Sequence, residues 1–295
     1  MNDIPFFIDE TDHEILMHKE VHFSGSFSLM LEYYESENKG IQEAFDIERI
    51  ERLAEVDKTS STPLALLILT EEEQEEVLRA KNTYLSLQKL YDLPPSPAQK
   101  LADLILSEEE EPEKEIEAIC ELIPSAVSML LPLIQGEDFY NPLFPGYGLA
   151  PAHASQCLGR LKAKEAIIPL FEALPKTEFF GEESILQALF QIGEPAKEFL
   201  LYVVKKTPLT KENENAAIAL LPFKEDPLVL STCLDLLELS IVQKKNSLFA
   251  YLLFICDSIT DKNQIERLKN LSSLPLAPDL KEELLFTLKS LPKIS

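Results

Sequence analysis

The 295-residue chain is predicted to be all-α, an acidic and mainly helical N-terminal region followed by an α-solenoid of antiparallel helix pairs. Three observations predict this. An apolar phrase recurs at a constant interval: Ala154–Leu158–Leu161 returns 31 residues later as Ile185–Leu189–Ile192, and after the same interval as Ala216–Leu220–Phe223. Seven residues beyond each copy stands a further apolar anchor, Ile168, Phe199 and Leu230. A fixed period of this size marks stacked helix pairs that bury their faces on one another. Second, capping residues and prolines fall where such helices would start. Third, charge is unevenly divided: residues 1–140 hold 32 Asp+Glu against 10 Lys+Arg, whereas residues 141–295 hold 19 against 17. Nearly all of the net charge of −24 therefore sits in the first part, so the two parts differ in role. Two domains are drawn accordingly, residues 1–110 and 111–295, with an irregular loop at 136–151 inside the second.

Taken in order, Pro5–Ile8 is a short apolar piece, read as extended. His13, His18 and His22 follow among Asp9, Glu10, Asp12, Glu14 and Glu20. A helix is expected from Phe27 through Leu31 and Tyr34 with a stop at Asn38–Gly40, and a second through Ile47, Ile50, Leu53 and Ala54. Leu64–Leu69 is an apolar run too short for periodicity to separate a strand from a buried helix. Thr70 with Glu73 forms a capping box, and acidic residues crowd the first turn, where the helix dipole favours them. The helix they open carries Val77, Ala80, Tyr84, Leu87 and Tyr91 at spacings of three and four. It ends before Pro94–Pro95–Ser96–Pro97, a stiff connector. A short helix through Leu101–Leu106 leads to a second capping signal, Ser107 with Glu110. The acidic run Glu108–Glu111 is read either as a solvated face or as a docking site for a basic partner. Ile116–Ile119–Ile123 and Val127–Leu130–Leu131–Ile134 read as a helical hairpin broken at Pro124.

Residues 136–151 break the helical pattern, with three of the chain's eight glycines, three prolines and the aromatics Phe139, Tyr140, Phe144 and Tyr147. Long irregular segments in helical folds are functional or structural plugs. These four aromatics are read in both ways, as an anchoring plug or as the lining of a partner groove. His153 follows them at the start of a helix, as a packing or capping residue or as part of the same cleft. From Ala152 the helix pairs are plain, with Gly193-Glu-Pro195 and Asp226–Pro227 opening return helices. Phe249–Leu253–Cys256 repeats the phrase at an interval of 33, and Pro278–Asp279 starts a last helix.

The stretches Ala154-Ser-Gln-Cys-Leu158-Gly159-Arg-Leu161 and Ala188-Leu189-Phe-Gln-Ile192-Gly193-Glu-Pro195-Ala196 resemble HEAT repeats, closest to the short HEAT-like type named after phycobilisome lyases. The resemblance covers about residues 112–290 and implies a right-handed solenoid. It says little of activity. Di-iron hydroxylases of that architecture use repeated His-Glu pairs on successive helices, and here His13–Glu14 is the one such pair, outside the repeats. HEAT-like DNA glycosylases need a basic groove, which the charge distribution opposes. No residue points to a tetrapyrrole, so no cofactor is expected.

The charge itself excludes classes of partner. An acidic surface repels phosphate backbones and anionic membranes, so neither nucleic acid nor membrane is expected. No apolar run approaches the roughly 20 residues that a membrane span needs. The acidic N-terminus lacks a secretory n-region, which makes a cytoplasmic protein the expectation and leaves export by a signal-less route open. Cys120, Cys157, Cys233 and Cys256 sit at apolar helical positions with no Cys-x-x-Cys pair, as small buried hydrophobes. His18 and His22 lie one turn apart on a helix, the spacing of a two-histidine metal site, with Glu14 and Glu20 near. No dinucleotide, phosphate-loop or nucleophile-elbow motif is present. The expected function is a non-catalytic protein-interaction scaffold or adaptor for a protein or peptide partner, with basic partners favoured by the acidic charge, through Phe139, Tyr140, Phe144, Tyr147 and His153. The alternative is a metal-dependent enzyme using His18/His22 or the Tyr140–His153 cleft.

Overall fold

The computed structural model describes residues 8–36, 45–177 and 179–291. Among these the protein is all-α, with α-helices, short 3₁₀ turns and no strand. Contacts group the chain into two compact units, Met1–Leu122 with Gly136–His153, and Ile123–Gln135 with Ala154–Ser295.

The first unit is built from α1 (Glu10–His22), α2 (Phe27–Glu35), α3 (Ile47–Thr59), α4 (Leu64–Ile68), α5 (Glu71–Gln88), α6 (Pro97–Leu106) and α7 (Glu113–Cys120). Its core gathers Ile15 and Leu16 of α1, Met30 of α2, Ile50 and Leu53 of α3 and Ala80 of α5, all fully buried. In an acidic region the charges nearest this core need partners, because a buried carboxylate is costly unless paired. Asp9 and Asp12 form the capping box of α1. Arg49 of α3 forks onto Asp9 at 2.9 and 2.8 Å, and Arg52 reaches the buried Asp12 at 2.9 Å. The guanidinium of Arg49 holds the Asp9 carboxyl below its ordinary range.

The apolar run Leu64–Leu69, ambiguous from its sequence, is the short helix α4, and only part of it is buried. Leu64, Ala65 and Leu69 face inward, while Leu66 and Leu67 are more than half exposed. Asp57 accepts from the Leu64 amide at its start (2.6 Å), and Gln74 donates to the Leu69 carbonyl at its end (2.8 Å). These two side chains hold five residues helical where propensity alone would not. Thr70 and Glu73 do form the capping box of α5. The expected box at Ser107 and Glu110 starts no helix. Ser107 terminates α6, its hydroxyl accepts from the Glu109 amide, and α7 begins only after Pro112. The acidic run between them is irregular, bent backbone. Ser96–Gln99, unnoticed as a capping pair in the sequence, opens α6. The expected extended piece at Pro5–Ile8 and the stop at Asn38–Gly40 lie mostly or wholly outside the described residues.

The second unit holds α8 (Ala126–Gln135), α10 (Ile167–Ala173), α11 (Phe179–Ile192), α12 (Glu194–Val204), α13 (Lys211–Leu220), α14 (Pro227–Leu237), α15 (Asn246–Ile255), α16 (Lys262–Leu271) and α17 (Pro278–Ser290). The first residues of α9 (Ala150–Arg160) group with the first unit and the rest with the second. The two halves of the expected 116–134 hairpin have different neighbours: α7 packs on α6, and α8 on α10. From α10 the packing runs α10 on α11, α11 on α12, α12 on α13 and α13 on α15.

The recurring phrase lies on alternate helices and points inward. Ala154, Leu158, Ile185, Leu189, Ala216 and Leu220 are fully buried, as are Phe249 and Leu253 on α15 and Cys256 in the turn after it. The anchors seven residues on behave less uniformly. Leu230 is buried, but Ile168 is 53% exposed. A 3₁₀ turn at Lys164–Ala166 precedes α10 and sets its phase, so that Ile167, Leu170 and Phe171 take the inner face instead. Polar groups at the joints are matched. The buried Asn213 donates to the carbonyls of Val203, Val204 and Lys206, closing the end of α12. Lys197 bridges Glu194 and Asp226, and Asp226 also caps α14. Changing Leu220 to Ala removes a fully buried side chain from α13, at a cost of about 2–5 kcal/mol. Urea unfolding of the variant would show this as a lowered midpoint at unchanged slope; an unchanged midpoint would contradict the burial.

Candidate functional site

The loop at 136–151 folds entirely within the first unit. It opens with a 3₁₀ turn, Glu137–Tyr140, and then passes through a left-handed stretch at Gly146, Tyr147 and Gly148 (φ 82, 52 and 81°). A Cβ on Gly146 would stand 1.9 Å from the Ile105 carbonyl oxygen, so only glycine lets the loop come this close to α6. The following Tyr147 is thereby aimed at α1. Its ring stacks on His22 at 4.2 Å, and His22 stacks on His18 at 5.0 Å. The Tyr84 hydroxyl lies 3.0 Å from Nδ1 of His22. Phe144 enters the core of the unit and meets the Arg79 guanidinium at 5.5 Å.

This packing dictates the chemistry of the histidines. Burial, reinforced by neighbouring His22, lowers the pKa of His18 to about 3. Burial lowers that of His22 to about 4, against the carbonyls of Pro142 and Leu143. Both rings are therefore neutral near pH 7. His153 is fully buried, with Nδ1 3.2 Å from the Leu104 carbonyl and Nε2 2.7 Å from that of Glu109. Burial lowers its pKa, and the two carbonyls and Glu115 oppose the shift.

The residues expected to form a site thus divide. His18 and His22 come together one turn apart, as their spacing requires, and Tyr147 joins them. Phe144, Tyr147 and His153 are buried, so a partner laid on this surface would touch Phe139 and Tyr140, which are half-buried, and would not reach the other three. Burial raises the pKa of Tyr140 to about 12. Of the carboxylates near the histidines, Glu20 is engaged by Lys81 (2.9 Å) and Lys19 (3.3 Å). Glu14 lines a small pocket of about 230 Å³ with His18, Glu76 and Asn141. Among the described residues no three His, Cys, Asp or Glu side chains are grouped to hold a metal ion.

A larger concavity lies elsewhere in the unit. Helices α4 and α5 both pack on α1, and residues of all three line an open groove of about 590 Å³. Ala65, Leu69 and Val77 form its buried floor. Leu66 and Leu78 stand on its two sides, 61% and 59% exposed. On α5 the residues that face it, Glu71, Gln74, Glu75, Leu78 and Lys81, follow spacings of three and four and form one stripe. The capping box selects which carboxylates turn outward. Glu73 is drawn in by the Thr70 amide (2.7 Å) and by His13 (2.9 Å), leaving Glu71 and Glu75 on the rim. At the far end Lys81 is matched by Glu20. The groove is therefore apolar below and anionic along one edge.

Sequence reasoning passed over this groove. Its one available signal was the absence of period-3.6 burial in Leu64–Leu69, where consecutive leucines cannot all face inward on a single helix. No protein-family model and no curated protein matches the chain.

Proposed function

We propose that this protein is a non-catalytic interaction scaffold in which the acidic first unit recognises a protein or peptide partner and the second unit is a HEAT-like solenoid. The observation that carries the reading is the open apolar groove between α4 and α5 within the strongly acidic part of the chain. Leu66 and Leu78 hold aliphatic surface in water on the two sides of this groove, and a partner that covers it gains by removing that surface from water. The 31-residue phrase, its buried faces and the order of helix packing support the solenoid. Cys157, Cys233 and Cys256 are buried and unpaired by disulfides, which suits a reducing, cytoplasmic setting. No helix among the described residues is long and apolar enough to cross a membrane.

A partner steered by this surface carries positive charge, and its capture weakens as salt screens the field. Affinity capture on immobilised full chain, followed by mass spectrometry, is expected to recover basic proteins whose retention falls about tenfold or more between low salt and about 0.5 M. Recovery of acidic partners only, or retention indifferent to salt, would count against the scaffold as proposed.

A further inference from the structure

The scaffold reading leaves the occupant of the groove open, and the inference here rests on that reading. We infer that the α4/α5 groove takes a basic amphipathic helix, its aliphatic face on Leu66, Leu69 and Leu78 and its cationic residues against Glu71 and Glu75. Three observations point to this occupant. The first is what the surface offers. Among the described residues there is no strand, so an extended peptide finds no sheet edge to join, and recognition has to run through side chains. A helix laid in a groove does this with aliphatic residues at every third or fourth position.

The second is charge complementarity. Glu71 and Glu75 stand one helical turn apart, about 6 Å along α5, and Leu78 follows less than a turn later on the same stripe. Among the described residues no ion pair engages either carboxylate, whereas Glu73 and Glu20 beside them are taken up by His13 and Lys81. The open negative charges are thus on the side that faces the groove. They ask for two Lys or Arg residues one turn apart, continued on the same face by Leu, Ile or Met. The third is rigidity. Asp57 and Gln74 fasten both ends of α4, and the capping box and His13 fasten the start of α5, so the groove walls exist before the partner arrives.

The probe is a labelled 18-residue helical peptide with a leucine face flanked by lysines, measured by fluorescence anisotropy on the full chain. Two control peptides go with it: a scramble that keeps composition and loses the helical period, and a version with Glu for Lys. A Kd on the order of micromolar is expected for the first peptide and at least about tenfold weaker binding for both controls. Leu66→Asp with Leu78→Asp is expected to abolish binding. Glu71→Lys with Glu75→Lys is expected to weaken it about tenfold or more and to reduce its salt dependence. All four positions are exposed, so circular dichroism of the variants should match wild type, with the melt lowered by at most a few degrees where lysine replaces Glu71 in the first turn of α5. Equal binding of the scramble would reduce the effect to bulk electrostatics and overturn the proposal. So would unchanged binding by the leucine variant. Sedimentation of the protein alone covers the other occupant: a dimer that dissolves in the leucine variant would mean that a second copy fills the groove, again overturning it. Capture repeated on the leucine variant separates this failure from that of the scaffold. Partners retained equally by both proteins leave the scaffold standing and remove the groove; no partners on wild type removes the scaffold.

Discussion

Lowering the pH from 7 to about 4.5 is expected to unfold the first unit before the second. All four histidines of the chain, His13, His18, His22 and His153, belong to the first unit. In the folded protein His18 and His22 bind protons only near pH 3 and 4, because protonation would place a charge among Tyr147, Tyr84 and Phe45. In the unfolded chain they take up protons near pH 6.5. Between those limits the unfolded state holds more protons, so stability falls as pH falls, by up to about 1.4 kcal/mol per pH unit for each ring. His22 keeps some solvent contact, so the combined loss at pH 4.5 is roughly 3–5 kcal/mol, a large share of a typical domain's stability. Carboxylates held low by cations, Glu20 by Lys81 and Lys19 among them, add to the loss at still lower pH. Urea titrations at several pH values, read by tyrosine fluorescence, should show two transitions separating as acid is added. His18→Leu with His22→Phe should flatten the slope between pH 6.5 and 4.5; a slope equal to wild type would show that the stack does not set acid stability.

Replacing Gly146 by Ala is the second change expected to act strongly. Two costs coincide there. The backbone sits at φ 82°, where a side chain adds about 1–2 kcal/mol, and the new Cβ falls 1.9 Å from a backbone oxygen of Ile105. No rotamer relieves a contact with backbone, so the loop has to lift, adding an overpacking cost of about 1–3 kcal/mol. Lifting the loop withdraws Tyr147 from His22 and frees the histidines to titrate nearer their ordinary value. Gly146→Ala should therefore lower the melting temperature at pH 7 and also weaken its pH dependence. A drop in melting temperature with the pH dependence intact would mean that the tyrosine stays in place and that the loop is not what keeps the histidines dry.

Much of the helical skeleton was legible because its signals are local. The capping pair at Thr70 and Glu73, the proline after Asp226 and the apolar pair Ala216–Leu220 each report on their own helix within a few residues. What escaped was decided at long range. The partner of His22 is Tyr147, and no pattern near either residue announces the other. Burial of Ile168 was expected from the period, but a 3₁₀ turn shifted the phase of α10. Ser107 and Glu110 carry the letters of a capping box, yet Pro112 sets the start of α7. Leu66 and Leu78 are ordinary leucines in the sequence, and only the packing of α4 and α5 on α1 reveals that both remain in water. The aromatic loop was noticed for its composition, while its destination against α1 and α6 depended on a single glycine's clearance.

The first unit is discontinuous in the chain, since residues 123–135 leave it and 136–153 return. During synthesis the helices through α7 emerge before the segment that closes over His22 and Ile105. Until Tyr147 has left the ribosome the histidines have no ring above them, and until His153 follows the carbonyls of Leu104 and Glu109 have no imidazole between them. A fragment ending at residue 122 would therefore lack the segment that covers His22 and packs against Ile105. Separating the two units by genetic dissection requires moving the 136–153 segment with the first, through a linker in place of α8.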